Sequence, residues 1–188
     1  MRRLCALLLL FSAIAAAQRG PQAGDHEIQL WMGAGHSVPG GTSHTGVWNA
    51  GLRYGWVLTD PHGPGFLRGS FEYAVDAVPF FLVFQPANTA YGAGVNPLVL
   101  KWNFVQRGAL VPYLELGGGT LFTTHEVPSH TSSVNFTSGA ALGFHYLRGG
   151  HNVSFDLRYM HISNAGLTSP NPGVNTLQVR VGFGAFRK

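Results

Sequence analysis

The stretch that decides the fold is Trp48–Leu58, which reads WNAGLRYGWVL. Side chains in a β-strand alternate between two faces, so residues two apart share a face. Sorting by parity puts most of the apolar and aromatic side chains together, namely Trp48, Ala50, Leu52, Tyr54, Trp56 and Leu58. The other face includes Asn49, Gly51, Arg53 and Gly55. One face is therefore broadly apolar, and the opposite face combines a charge with small residues.

The same alternation recurs along the whole chain. Strand patterns separated by glycine- and proline-rich turns predict about eight strands, at roughly 26–37, 44–58, 64–78, 90–104, 111–124, 133–147, 151–163 and 174–187. Most are long enough for a tilted membrane-crossing strand, which needs about 9–11 residues. The charges predicted to lie opposite the large apolar residues are Arg53, Arg68, Lys101, Arg158, Arg180, Glu72, Asp76, Glu115 and Asp156.

These patterns favour an all-β fold, an eight-stranded antiparallel transmembrane β-barrel with a polar, side-chain-filled interior. In such a barrel the apolar face contacts lipid and the polar residues point inward. Eight strands leave room only for side chains, so the nearly balanced charges predict an ion-pair network and not a conducting pore. A soluble β-domain, with the charges facing water, is the alternative. The breadth of the apolar face favours the membrane barrel.

Composition and the chain start predict an exported protein. Residues 1–17 have a positive start, a short apolar run and an Ala15–Ala17 site, which is typical of a cleaved signal peptide. Residues 18–188 would form one barrel domain in the bacterial outer membrane, and Cys5 would leave with the signal. Charged residues are only 11% of the chain, and the net charge of +4 forms no basic run, which argues against a nucleic-acid partner. Trp31, Trp48, Trp56 and Trp102 are expected to be interfacial anchors or to pack on the lipid face.

A polar cluster at the end of the seventh strand is the candidate site. His161 and Ser163 share a face with the apolar residues of that strand, and Asn175 shares the apolar face of the eighth. The hairpin between the strands would bring Asn175 near His161, on the lipid-facing wall. A polar group facing lipid is costly unless it is paired or functional. A serine beside an imidazole is the pairing that nucleophilic acyl transfer needs, and this position fits a lipid substrate. The spacing alone leaves open a chance His-x-Ser at a strand end that tolerates polar residues.

The segment Arg158–Leu167, with Pro170–Gly173 downstream, resembles the lipid A 3-O-deacylases, outer-membrane acyloxyacyl hydrolases of the PagL type. The resemblance implies an eight-stranded barrel that removes the ester-linked acyl chain at the 3-position of lipid A. It implies Ser163 as nucleophile and His161 as base, with Asn164 and Gly166 as oxyanion donors. The family's acid is a glutamate, and that position reads Asn175 here. An amide can orient the ring but stabilises the imidazolium less than a carboxylate does.

The implied partners are lipid A, or lipopolysaccharide, and the lipid of the outer membrane. No cofactor is implied, and the nine histidines show no metal-ligand spacing. The oligomeric state is left open, with a homodimer as one option. Two other functions are also compatible with the sequence. One is a non-catalytic small outer-membrane barrel with a structural or adhesive role, and the other is a soluble exported lipid-binding β-domain.

Overall fold

The structure, a computed structural model, describes residues 19–188, so the predicted signal peptide and Cys5 lie outside the described residues. Its strands are β1 (His26–Ser37), β2 (Gly46–Val57), β3 (Gly69–Phe84), β4 (Thr89–Phe104), β5 (Leu110–Thr123), β6 (Val134–Arg148), β7 (His151–Ser163) and β8 (Val174–Arg187). Each strand pairs antiparallel with the next, and β8 pairs with β1 to close the barrel. Within residues 19–188, no helix is long and apolar enough to cross a membrane.

Alternation along the strands separates an apolar outside from a polar inside. Leu52 is 55% exposed on the outer wall, whereas the adjacent Arg53 is 2% exposed inside. The same contrast holds around the barrel. The charged residues buried within the strands are Glu27, Arg53, Glu72, Asp76, Lys101, Glu115, Asp156, Arg158 and Arg180. The predicted fold class is confirmed, because lipid-facing apolar residues alternate with a polar interior in membrane barrels.

The interior charges form two ion-pair clusters. In one, the carboxylate of Glu115 accepts hydrogen bonds from three guanidinium groups. The donors are Arg53 (Nη2 to Oε1, 3.0 Å), Arg158 (Nη2 to Oε1, 2.7 Å) and Arg180 (Nη2 to Oε1, 3.2 Å). In the other, Lys101 donates to Glu27 and, at 3.1 Å, to Glu72. Charges taken out of water need such partners, and these contacts fill the barrel as predicted.

Two sequence predictions about side-chain placement were wrong. Arg68 lies outside the polar interior, exposed in the β2–β3 connection, where its Nε donates to the Pro61 carbonyl oxygen. The cause is that residues 65–67 form a 3₁₀-helix and β3 begins only at Gly69, so strand parity does not apply to Arg68. Trp31 is 4% exposed inside the barrel, with its ring 5.0 Å from the Arg180 guanidinium, and is not an interfacial anchor.

The third strand also extends beyond its predicted end at residue 78. It runs through Pro79 to Phe84, and its register against β4 shifts between Val78 and Phe81. Proline lacks the N–H that a regular ladder requires, and a bulge accommodates it because pairing is interrupted there. The longer β3–β4 hairpin raises the barrel wall at one end.

The two ends of the barrel differ in their connections. The terminal end holds both termini of the described chain and the connections 58–68, 105–109 and 149–150. The loop end holds the connections 38–45, 85–88, 124–133 and 164–173. β7 ends and β8 begins at the loop end, so the candidate residues gather there.

Candidate active site

His161 and Asn175 form a hydrogen-bonded pair across β7 and β8. They are direct partners in the strand register, and His161 Nδ1 lies 2.6 Å from Asn175 Oδ1. Because an amide oxygen can only accept, Nδ1 carries the proton in this arrangement and Nε2 keeps its lone pair. The imidazole is therefore in the tautomer that can take a proton at Nε2. Parity and the hairpin predicted this proximity, and the structure places the two side chains in contact.

Ser163 lies two residues beyond His161, on the same outward face, and pairs with Phe136 of β6. Both Ser163 and His161 are partly exposed. In the described part of the chain, the only hydrogen bond of the His161 ring is the one to Asn175, and none joins it to the Ser163 hydroxyl.

The outer wall around the pair is apolar, but the side chains next to His161 on β6 and β5 are small. Tyr159 and Leu177 flank the site toward the barrel middle and are exposed on the outside. In register with His161, the outward positions on β6 and β5 are Ser138 and Gly118. Small side chains therefore leave a shallow lane in the apolar wall directly beside the imidazole.

The predicted oxyanion donors are both engaged within the loop 164–173. The Gly166 N–H donates to Asn164 Oδ1 at 2.8 Å. The Asn164 side-chain amide donates to Thr168 Oγ1 at 2.8 Å, and its backbone N–H donates to Asn171 Oδ1 at 3.2 Å. Asn164 is fully buried by these contacts. As placed, it organises the loop that follows Ser163, and either donor must exchange its present acceptor to bind an oxyanion.

A second loop covers Asn175, and this contact was not predicted from the sequence. Asn175 is only 6% exposed, although the next outward residue of β8, Leu177, is 44% exposed. The cover is the β1–β2 connection, 38–45, whose Val38 N–H donates to the Asn175 carbonyl oxygen at 2.8 Å. The one available signal was the Pro39–Gly41 run, which by itself indicates only a turn.

Charge is unevenly divided between the two ends of the barrel. Within residues 19–188, the exposed lysines and arginines all lie near the terminal end: Arg19, Arg68, Arg107, Arg148, Arg187 and Lys188. The connections at the loop end contain no lysine or arginine, and their only charged residue is Glu126. Within residues 19–188, no group of three or more histidine, cysteine, aspartate or glutamate side chains is arranged to hold a metal ion.

Comparison with known proteins identifies the family. The family model described as lipid A 3-O-deacylase (PagL) matches residues 48–184. The crystal structure of the outer membrane enzyme PagL superposes with a TM-score of 0.61 at 19% identity, covering 82% of this chain and 97% of that chain. The crystal structure of Neisserial surface protein A (NspA) superposes with a TM-score of 0.50 at 13% identity, covering 86% and 95%. No curated protein sequence gives a significant match.

The structural matches, at these identities, establish the fold alone, which is that of small outer-membrane β-barrels. The family match is stronger evidence, because it spans well over half of the chain and includes the end of β7, the loop after it and most of β8. This protein therefore belongs to the lipid A 3-O-deacylase (PagL) family.

Proposed function

We propose that this protein is an outer-membrane serine esterase that removes the ester-linked 3-O-acyl chain from lipid A. The observation that carries the proposal is the His161–Asn175 hydrogen bond beside Ser163 on the lipid-facing wall. Because a lipid ester dissolved in the membrane reaches that wall directly, the site needs no pocket inside the barrel. The interior is instead filled by ion pairs.

In the first half of the reaction, Ser163 Oγ attacks the acyl carbonyl carbon while His161 Nε2 takes the hydroxyl proton. The tetrahedral intermediate collapses to an acyl-enzyme, and His161 returns the proton to the departing sugar oxygen. In the second half, water attacks the acyl-enzyme and His161 again acts as base and then as acid. The products are a free fatty acid and a lipid A with one chain fewer.

Asn175 would serve as the orienting residue. Its Oδ1 holds the Nδ1–H tautomer, which leaves Nε2 free to receive the serine proton. A neutral amide contributes less than a carboxylate once the ring becomes an imidazolium. We therefore propose a working but slower relay than one with a glutamate or aspartate in this position.

Asn164 and Gly166 remain the proposed oxyanion donors. Ala165 and Gly166 have left-handed backbone conformations, with φ of 53° and 81°, which form a tight turn immediately after the nucleophile. The Gly166 N–H would exchange its Asn164 acceptor for the developing oxyanion, and preorganised donors of this kind are worth a large share of the rate. The same loop contacts also fit a purely structural turn.

The lane beside His161 supports an acyl-chain substrate. Gly118, Ser138 and Ala140 point outward on β5 and β6, where neighbouring positions carry large apolar side chains. A hydrocarbon chain lying over these small residues would place its ester near Ser163.

The second candidate function is a non-catalytic barrel with a structural or adhesive role. It is favoured by the amide at the acid position and by the engaged state of both oxyanion donors. The third expectation, a soluble lipid-binding β-domain, does not fit the apolar outer wall of the closed barrel.

Mass spectrometry of lipid A tests the proposal. Residues 18–188, the mature chain proposed from cleavage after Ala17, would be refolded in detergent and incubated with lipid A. Wild type and Ser133→Ala, which removes an exposed serine at the same end, should each release one ester-linked chain. Ser163→Ala should retain the fold and lose turnover. Absence of turnover in refolded wild type would instead support the structural barrel.

A further inference from the structure

We propose that the β1–β2 connection, residues 38–45, is a positioning strap for the His161–Asn175 pair. It would act by holding the amide of Asn175 in one of its two possible orientations and by fixing the backbone against which the imidazole packs. This inference rests on the proposed esterase function and assigns a role to a segment outside the catalytic strands.

Backbone hydrogen bonds attach the strap to the start of β8. The Val38 N–H donates to the Asn175 carbonyl oxygen at 2.8 Å, and the Thr42 N–H donates to the Gly173 carbonyl oxygen at 2.9 Å. These bonds bracket the turn formed by Pro39, Gly40 and Gly41. The strap therefore follows the backbone of residues 173–175 at close range.

The strap, Gly173 and the His161 ring are packed in succession, with no space for a methyl group between them. A Cβ added to Gly41 would lie 2.9 Å from the Gly173 carbonyl oxygen. A Cβ added to Gly173 would lie 2.8 Å from His161 Cε1. Gly173 also has a φ of +66°, a conformation that favours glycine. A displacement of the strap is therefore transmitted through Gly173 to the imidazole.

The strap also covers the nitrogen end of the Asn175 amide. A Cβ added to Gly40 would lie 2.8 Å from Asn175 Nδ2. With Nδ2 against the strap, Oδ1 faces the His161 ring. A flipped amide would present a donor to Nδ1, and the ring would then carry its proton on Nε2, where it cannot act as base. A carboxylate has two equivalent oxygens, so its function does not depend on this choice.

The test is a double-mutant comparison with Gly41→Ala. Gly41 has no left-handed φ, so alanine disturbs the packing on Gly173 without straining its own backbone. We expect Gly41→Ala to lower kcat about 10- to 100-fold with little change in KM, since small misplacements of catalytic groups cost up to about 100-fold. In an Asn175→Asp background, we expect the same substitution to cost less than about a third of that factor, because carboxylate symmetry removes the dependence on amide orientation and leaves only the displacement of the imidazole through Gly173.

Gly46→Ala is the matched control. It lies at the same end of the barrel, and its added Cβ would meet only ordinary contacts, the nearest at 3.5 Å from Phe84. It should retain wild-type turnover, and all variants should show the same heat-modifiable mobility of a folded barrel in gels. Wild-type kcat in Gly41→Ala, or an equal loss in both backgrounds, would overturn the proposal.

A measurement independent of turnover separates failure of the strap from failure of the esterase. In ¹⁵N-histidine spectra of the protein in micelles, the His161 signals are assigned by their loss in His161→Gln. Wild type should show the Nδ1–H tautomer, and Gly41→Ala should shift the population toward Nε2–H. An inactive wild type with this shift would refute the esterase and retain the strap. An unchanged tautomer in Gly41→Ala would refute the strap.

Discussion

Replacing Asn175 with aspartate should accelerate the proposed reaction. Asn175 Oδ1 lies 2.6 Å from His161 Nδ1, and aspartate has the same shape as asparagine, so a carboxylate oxygen would occupy the same position. When His161 takes the serine proton, the ring becomes a cation. Wild type offers that cation a neutral amide, whereas the variant offers it a full negative charge.

The size of the effect follows from the distance and the exposure of the pair. Two unit charges about 4 Å apart interact by about 1 kcal/mol in water and about 4 kcal/mol at an effective dielectric constant of about 20. His161 is partly exposed and Asn175 is buried, so the pair lies between these limits. A stabilisation of about 2–3 kcal/mol in the transition state corresponds to about 30- to 150-fold in kcat/KM.

The assay is the initial rate of fatty acid release from lipid A in detergent micelles, compared among wild type, Asn175→Asp and Asn175→Ala. We expect aspartate to be fastest and alanine slowest, because alanine removes both the charge and the orienting oxygen. Asn175→Glu, which restores the residue type that the family resemblance implies, should gain less because its side chain is one methylene longer and meets the strap at Gly40. An Asn175→Asp variant no faster than wild type would refute the argument that imidazolium charge limits the rate.

Three further predictions address stability, chain binding and charge. Glu115→Gln removes a carboxylate that three arginines share and should lower the free energy of unfolding in urea by about 3–5 kcal/mol. A stability equal to wild type would show that the cluster makes no net contribution to the free energy of unfolding. Ser138→Leu fills the lane beside His161 and should slow release of long acyl chains at least about tenfold while sparing a short-chain ester; an equal effect on both esters would argue against a chain-binding lane. The connections at the loop end contain no lysine or arginine, so raising NaCl from about 0.05 to about 0.5 M should change kcat/KM by less than about threefold. A steep decline in kcat/KM would reveal a cationic contact with the lipid A phosphates.

Strand parity separated the two faces of the barrel wall, because membrane and interior impose opposite requirements on alternate residues, and the breadth of the apolar face favoured lipid over water on the outside. Arg53 and Leu52 are neighbours in sequence yet lie on opposite sides of the wall. The same rule applied to Trp31 would have placed it inside, since it shares the parity of the buried Glu27. Its assignment as an anchor followed residue type, and parity was the better guide. Arg68 shows the converse, because parity has no meaning before a strand begins.

The His161–Asn175 pair was predictable for a related reason. A hairpin joins β7 and β8, so parity together with the turn between them brings a limited set of residues face to face. The roles of Asn164 and Asn171 in organising the loop were not predictable, because they depend on which side-chain amides satisfy which backbone groups in an irregular segment. Alternation carries no information about such contacts.

The contact between the strap and Asn175 depends on how the barrel closes. Any closed barrel of eight strands brings β1 beside β8, so the connection after β1 must lie near the connection before β8. Which residues meet there depends on the register of closure, which here pairs Ser37 with Thr176. A shift of two residues would keep every side chain on its proper face and would still move Val38 away from Asn175. The register that closes the sheet therefore also sets the first loop of the chain against Asn175, the proposed orienting residue on the last strand.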